Sequence, residues 1–488
     1  MHTSVVALPQ GKVRGTVTGS VHAFRGIPYA AAPSGPALFQ APGPAPTWAG
    51  ERDATEFGPT APQHGYPEPL RSILHNPIIA GPEFLNLNVW TPDPAASGLP
   101  VMVWIHGGAF VRGSSAVSVY DGHAFARDGV VLVSLNYRLG AIGFAALDGA
   151  PPNRGILDQI AALRWVRDNI AAFGGDPGQV TIFGESAGGM SVATLLAAPP
   201  ATGLFHRAII QSGNATIAST LDDARLVAAD FAGRLEHAPE AADIPALLEA
   251  ERNLLLDFTL QQNPERWGLS TIEAGLGLMA FLPTIDGDTL TQLPLDAIAG
   301  GASRDIPLVL GTTTDEFRLF TAPAGLTATL TPDALPAVLA ARGVDPGVVD
   351  TYSANRPGAT PGDLLAAILT DYAFRVPTAR LAEAAPTAYV YEFAWPTTHL
   401  DLRAAHALEI AFVFDTLTAE GAAMMLGADT PPQTLASEMH RAWVDFAHGR
   451  TPWEPYHADT RRVLTFDTPR PRLVADPRPD ELALWHNR

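Results

Sequence analysis

The residue group best suited to covalent catalysis is Gly184-Glu185-Ser186-Ala187-Gly188, a serine set between two glycines. It follows a short apolar run at 180–183 and precedes an alanine-rich stretch, a context typical of a strand that turns sharply into a helix. Such a turn exposes the serine hydroxyl and points a helix N-terminus at negative charge that develops on a substrate. The pattern predicts Ser186 as the nucleophile of an acyl-transfer reaction, although an ordinary glycine turn could carry the same letters.

A second glycine-rich segment, His106-Gly107-Gly108-Ala109-Phe110, follows the apolar run 101–105. In enzymes that cleave esters, a loop of this kind donates backbone N–H groups to the oxygen of the reacting carbonyl. We predict that the donors are Gly108, Ala109 and Ala187, with Gly107 in support, because small residues let the carbonyl approach the main chain. Losing one such donor typically costs about 3 kcal/mol of transition-state stabilisation. His106 is interpreted as structural.

The acid and the base must follow Ser186 along the chain if the order is that of α/β-hydrolases. Asp315 and Glu316 come just after a predicted strand at 307–310, and spacing does not choose between them. His406 precedes the apolar run 410–414, which would anchor it as a positioned base. Five further histidines remain open as alternatives on pattern alone: His399, His440, His448, His457 and His486.

The elements that must position these residues alternate between strands and helices. Apolar runs at 101–105, 130–135, 180–183, 307–310 and 388–393 predict buried strands, and helical spacing over 158–173 predicts a helix between two of them. This alternation favours right-handed crossovers and a mostly parallel central sheet flanked by helices. Mostly helical stretches, roughly 215–279 and 321–385, are expected as cap or side insertions in a single domain spanning 1–488.

Composition excludes several function classes. The 488 residues carry a formal charge of −19, which argues against nucleic-acid binding, and they include no cysteine, which excludes disulfides and thiolate chemistry. We see no signal peptide and no apolar run of the roughly 20 residues that a membrane span needs. We therefore expect a soluble, cytoplasmic protein without a membrane partner, and the residue usage is typical of a high-GC bacterium.

Longer segments carry a family resemblance. Three segments look like signatures of one known family: Phe24-Arg25-Gly26-Ile27-Pro28-Tyr29-Ala30, Leu87-Asn88-Val89-Trp90 and Asn136-Tyr137-Arg138-Leu139-Gly140. The block 158–189 is the most specific match. With these segments the chain resembles the type-B carboxylesterase family nearly end to end. The resemblance implies an α/β-hydrolase fold and a serine carboxylesterase acting on short- to medium-chain and aryl or benzyl esters.

The same resemblance implies roles for individual residues. It makes Ser186 the nucleophile, His406 the base and Glu316, rather than Asp315, the acid, and it adds Ser212 as a hydrogen-bonding neighbour. We expect no metal and no cofactor, a small-molecule ester as the partner, and a monomer or small homo-oligomer.

Departures from the family pattern bear on specificity. Phe317 stands where the family usually has glycine after the acid, and residues 63–83 lack the tryptophan with which cholinesterases bind choline. Preference for a choline ester is therefore not expected, and no segment has the pattern of an exposed amphipathic lid. Two alternatives stay open: cleavage of amides, carbamates or lactones, and a non-catalytic adhesion module, which the presence of Ser186, Glu316 and His406 disfavours.

Overall fold

A large mixed β-sheet organises the molecule, seen in a computed structural model that describes residues 2–485. The strands are β1 (His2–Leu8), β2 (Gly11–Thr18), β3 (Val21–Pro28), β4 (Glu51–Asp53), β5 (Asn86–Thr91), β6 (Leu99–Ile105), β7 (Val131–Leu135), β8 (Gly175–Glu185), β9 (Arg207–Gln211), β10 (Ser219–Thr220), β11 (Thr284–Ile285), β12 (Leu308–Thr313), β13 (Ala388–Phe393), β14 (Arg462–Phe466) and β15 (Arg472–Ala475). Within the described range, 13 of them form one sheet in the order β1-β2-β3-β5-β7-β6-β8-β9-β12-β13-β14-β15, with β4 on β2.

The centre of this sheet is parallel, as the alternating pattern predicted. Strands β7, β6, β8, β9, β12, β13 and β14 pair in parallel, and antiparallel strands close both edges. The five predicted strands all lie in this parallel part, and β13 has the predicted bounds. Strand β8 is longer than its apolar run because it begins at Gly175, beside Leu99 of β6.

Helices cover both faces. They are α1 (His123–Arg127), α2 (Gly140–Phe144), α3 (Arg154–Asn169), α4 (Ala187–Ala197), α5 (Leu221–Ala232), α6 (Ile244–Gln261), α7 (Pro264–Trp267), α8 (Leu269–Ala274), α9 (Pro294–Ala299), α10 (Arg318–Thr321), α11 (Leu326–Thr329), α12 (Leu335–Ala341), α13 (Val349–Asn355), α14 (Pro361–Thr370), α15 (Val376–Ala384), α16 (Ile410–Val413), α17 (Glu420–Leu426), α18 (Gln433–Ala447) and α19 (Pro479–Ala483). The predicted helix at 158–173 is α3 followed by a 3₁₀ turn. In the described range, none of these helices is long and apolar enough to cross a membrane.

The sheet separates two hydrophobic cores. Alternate residues of β6 serve different cores: Val101, Val103 and Ile105 pack on one face, and Met102 and Trp104 pack on the other. Because both faces are covered, the central strands are buried throughout and consist of continuous apolar runs.

A fully buried ion pair ties α3 to the segment that follows β7. The guanidinium of Arg138 donates from Nε and Nη2 to the two carboxylate oxygens of Asp158, at 2.8 and 2.7 Å, and the backbone N–H of Arg138 donates to the same group. Both side chains have no solvent exposure. Two residues further on, the N–H of Gly140 donates to the carbonyl of Phe110 at 2.7 Å, which connects this pair to the loop after β6.

Candidate active site

Ser186 occupies the sharp turn between β8 and α4. Its backbone has φ 57° and ψ −125°, a conformation rarely adopted by residues other than glycine, and strain of this kind concentrates at functional sites. The turn is this tight because the chain passes very close to β6: a Cβ at Gly188 would lie 2.0 Å from the carbonyl oxygen of Ile105. The side chain of Ser186 is left half-exposed at the wall of a cavity.

His406 and Glu316 meet beside this turn. His406 lies in the loop after β13, and its Nδ1 is 2.6 Å from Oε2 of Glu316. Glu316, just after β12, is completely buried, and its Oε1 accepts from the N–H of Thr313 at 2.8 Å and from Ser212 Oγ at 2.6 Å. Ser212 follows β9 directly, so the ends of three neighbouring parallel strands supply this cluster.

The other candidates for acid and base lie elsewhere. The backbone N–H of Asp315 donates to the carbonyl of Ala404, but its carboxylate forms no hydrogen bond or ion pair with His406 in the described part of the chain. His440 is buried against the carbonyl of Val413, and His106 stacks on Tyr137 with its pKa lowered to about 4 by burial. Among the remaining alternatives, His486 lies outside the described residues.

A third carboxylate reaches the catalytic histidine candidate from the other side. Glu185 Oε1 is 3.0 Å from Nε2 of His406, and no hydrogen bond joins that nitrogen to Ser186 within the described residues. Burial by itself lowers the pKa of His406, but the charges of Glu185 and Glu316 outweigh it and raise the pKa well above the usual value. An imidazole with a carboxylate at each nitrogen has the surroundings of an imidazolium cation.

The loop after β6 brings backbone N–H groups to the same place. Ala109 and Phe110 have positive φ, 55° and 61°, which turns the chain tightly after Gly108. In the described structure, the N–H groups of Gly108, Ala109 and Ala187 donate to no other residue. A Cβ at Gly107 would lie 3.1 Å from the Cβ of Ser186, so this loop packs directly against the strained turn. Three free donors beside one serine hydroxyl can stabilise an oxyanion.

A cavity of about 1410 Å³ opens onto these groups. Its lining includes Ser186, His406, Gly108 and Ala109, and most of its wall is apolar. Next to His406 the wall is aromatic, since the rings of Phe374 and Phe320 lie 5.0 and 5.5 Å from the imidazole. A few polar groups are thus grouped together in an otherwise mostly apolar cavity, the usual form of a small-molecule site.

Three features of this site have surroundings that the sequence pattern did not predict. Phe317, the departure after the acid, is buried and packs its ring 5.3 Å from that of Phe320. Glu185 occupies the variable position of the serine motif, so its spacing carries no signal for a contact with His406. Helix α6 carries Leu256 and Leu260, 60% and 73% exposed, on the wall of the cavity, whereas no exposed apolar lid was expected.

Comparisons with known proteins point to one family. Residues 2–485 match the model described as "Carboxylesterase family". The chain is 38% identical to the para-nitrobenzyl esterase of Bacillus subtilis (strain 168) over 96% of each chain, and 32% identical to the phenmedipham hydrolase of Pseudarthrobacter oxydans over 97% of each. It also superposes on the carboxylesterase of Geobacillus stearothermophilus with a TM-score of 0.84 at 33% identity, covering 99% of this chain and 100% of the other.

Proposed function

This chain belongs to the carboxylesterase family, and we propose that Ser186, His406 and Glu316 are the residues with which it hydrolyses carboxylic esters. The fold is the α/β-hydrolase fold that the sequence predicted, and the protein is a carboxylic ester hydrolase. The observation that carries the assignment of residues is the 2.6 Å contact between His406 Nδ1 and the buried Oε2 of Glu316, with His406 lining the same cavity as the strained Ser186 turn.

In the proposed mechanism, the hydroxyl of Ser186 attacks the ester carbonyl while Nε2 of His406 takes its proton. The carbonyl oxygen, now negative, accepts hydrogen bonds from the N–H groups of Gly108, Ala109 and Ala187. The alcohol leaves with the proton from His406, and an acyl group remains on Ser186. Water then repeats the sequence, giving the carboxylic acid and the free serine.

Glu316 and Glu185 have different parts in this scheme. The carboxylate of Glu316 accepts a hydrogen bond from the protonated Nδ1 of His406, so that Nε2 is unprotonated and can accept the proton of Ser186. The negative charge of Glu316 then stabilises the imidazolium that results. Glu185, 3.0 Å from Nε2, adds a second negative charge that favours the same cation. Ser212 donates to Glu316 and fixes the orientation of its carboxylate.

The proposed substrates are short- to medium-chain esters, including aryl and benzyl esters. The name of the para-nitrobenzyl esterase relative and the predominantly apolar cavity, with aromatic rings beside His406, support this range. A wall of this kind discriminates weakly, since one extra methylene changes binding by only about 1–3 kcal/mol. Its lining contains no tryptophan among the described residues, so no aromatic face of that type is offered to a cationic alcohol.

A panel of esters tests this range. We expect similar kcat/KM values, within about tenfold, for 4-nitrobenzyl acetate, butyrate and octanoate, and a lower value for butyrylcholine than for a neutral ester of matched size. S186A is the control, since it should lose activity toward every member. A preference for the palmitate ester, or for choline over the neutral alcohol, would contradict the proposed range while leaving the assignment of Ser186 intact.

We further propose that the chain forms one domain and works in the cytoplasm as a monomer or small homo-oligomer. The single-domain proposal is supported by the sheet, because β1 near the start of the chain and β15 near its end belong to the same one. The proposed location is supported by the absence of cysteine from a chain of this length.

A further inference from the structure

Arg112 stands in the cavity wall, four residues after the proposed oxyanion donor Gly108. Its side chain is half-buried, its Nε donates to the carbonyl of Gly65 at 3.3 Å, and its guanidinium lies 5.7 Å from the centre of the Tyr66 ring. All three residues line the cavity. In the described structure, the two terminal nitrogens of this guanidinium have no hydrogen-bond partner.

The charge of Arg112 is not balanced by a carboxylate. No Asp or Glu oxygen of residues 2–485 lies within 4 Å of it, whereas Arg252, on the same wall, pairs with Glu249 at 2.6 Å. The buried carboxyl of Glu251 feels the charge of Arg112, but burial raises its pKa to about 7. At neutral pH Glu251 is therefore only partly ionised and cannot neutralise the arginine.

The lining of the cavity is less acidic than the chain as a whole. The chain carries −19, yet among the described residues three arginines line the cavity, Arg71, Arg112 and Arg252, against two carboxylates, and Arg252 is the one paired with Glu249. Of these carboxylates, Glu185 lies against His406, and Glu420 lies 3.6 Å from His75. Arg112, a cation without a carboxylate partner among the described residues, thus lines the same cavity as Ser186.

Tyr66 connects this cation to the reacting end of the cavity. Burial raises the pKa of Tyr66 to about 12, the charge of Arg112 opposes that rise, and the charge of Glu185 adds to it. Its hydroxyl is therefore within electrostatic range of both groups. Ser186, Tyr66 and Arg112 line one cavity, so a substrate bound at Ser186 can extend within that cavity toward Arg112.

We propose that Arg112 is a specificity-determining residue that binds the carboxylate of an anionic ester, one that carries a second, ionised carboxyl group besides the bond to be cleaved. This inference rests on the proposed role of Ser186 in the same cavity. A guanidinium binds a carboxylate through two parallel hydrogen bonds, and a largely apolar wall strengthens such charge-assisted bonds. Neutral esters remain substrates, because the cleaved bond and the groups around Ser186 are the same.

Two pairs of esters matched in shape test the proposal, with the charge on the acyl side in one pair and on the alcohol side in the other. The first pair is 4-nitrobenzyl hemisuccinate against 4-nitrobenzyl 4-methylpentanoate, and the second is 4-carboxybenzyl butyrate against 4-isopropylbenzyl butyrate. In at least one pair we expect kcat/KM to favour the anionic member by about tenfold or more. R112Q should abolish that preference and R112K should retain most of it, while R252Q, which removes a paired arginine, should leave the ratio within about threefold.

Equal or lower kcat/KM for the anionic member of both pairs in the wild type would overturn the proposal, as would a preference that survives R112Q. The kcat/KM values of the anionic and the neutral ester are compared within one variant. A change in folding or in the loop that carries the oxyanion donors affects both values and therefore cancels from their ratio. S186A separates this inference from the proposed function: hydrolysis of any of the four esters by S186A would refute the nucleophile, whereas an active wild type that shows no preference for the anionic member of either pair refutes only the role of Arg112.

Discussion

Glu316 and Asp315 are neighbours in sequence, but one of the two carboxylates faces His406 and the other does not. Because the orienting acid holds the imidazole in the productive tautomer, we expect E316Q to lower kcat by about 10³-fold or more. D315N keeps Glu316 in contact with Nδ1 of His406 and should retain far more activity. Steady-state kinetics of the two variants, with circular dichroism to confirm folding, decide the matter. If D315N lost more activity than E316Q, the acid would be Asp315 rather than Glu316.

The pH dependence of activity should reveal the influence of Glu185, the second carboxylate that lies against His406. His406 must be neutral to accept a proton, so kcat/KM falls as the pH drops through the pKa of this histidine in the free enzyme. Glu185 and Glu316 raise that pKa, and we therefore expect the acid limb of the wild-type profile to have its midpoint above about 6.5. E185Q removes one of the two charges and should move the midpoint down by about one unit or more.

E409Q is the matched control for this shift. Glu409 is buried, and its pKa is raised to about 8, first by burial and then by the negative charges of Glu185 and Glu316. It is mostly neutral near pH 7, so replacing it should leave the acid limb nearly in place. An unmoved midpoint in E185Q, or an equal movement in E409Q, would contradict the assigned role of Glu185.

Local spacing in the sequence predicted the turn at Ser186 but could not identify the acid and the base. Strand and helix signals around Ser186 predicted its turn, but spacing left two acids and six histidines, and the family resemblance made the choice. The contact between Glu185 and His406 joins residues 221 positions apart, through a loop whose path depends on packing. No local pattern encodes that contact.

At the scale of elements, the Arg138–Asp158 pair connects α3 to the part of the chain that supports the loop after β6. Because both groups are fully buried, D158N leaves the guanidinium with an uncompensated charge, which typically costs about 3–5 kcal/mol. We expect a clear fall in the unfolding midpoint of D158N in guanidinium chloride. D168N is the control on the same helix, since its partner Arg167 and Asp168 are both more than half exposed and such pairs contribute about 1 kcal/mol at most. An equal fall in the unfolding midpoint of D158N and D168N would show that burial of the ion pair does not determine its contribution to stability.

The strands were predictable because burial on both faces makes them continuous apolar runs. The structure of the insertions was less predictable from the sequence. Residues 215–279 hold α5 to α8 but also β10, which pairs with β11 beyond that range. Two-residue strands carry too little pattern to be distinguished from a turn, and their pairing depends on contacts distant in sequence.

At the scale of the whole molecule, a sheet that begins and ends with antiparallel strands carries the proposed catalytic residues at the ends of its parallel centre. The topology thus explains why segments around 107, 186, 212, 316 and 406 meet in one place. The shape of the cavity could not be foreseen, because part of its wall is α6, with the exposed Leu256 and Leu260, which belongs to an insertion whose packing the sequence pattern does not specify.

The central claim, that Ser186 is the nucleophile, is tested most directly by covalent labelling with a fluorophosphonate followed by peptide mass spectrometry. A serine activated by His406 attacks the phosphorus, so we expect one label per wild-type chain, at Ser186 alone, with activity lost in step with labelling. S186A, shown to be folded by its unchanged unfolding midpoint, should take up no label. A label on another residue, or labelling of S186A to the same extent as the wild type, would contradict the account.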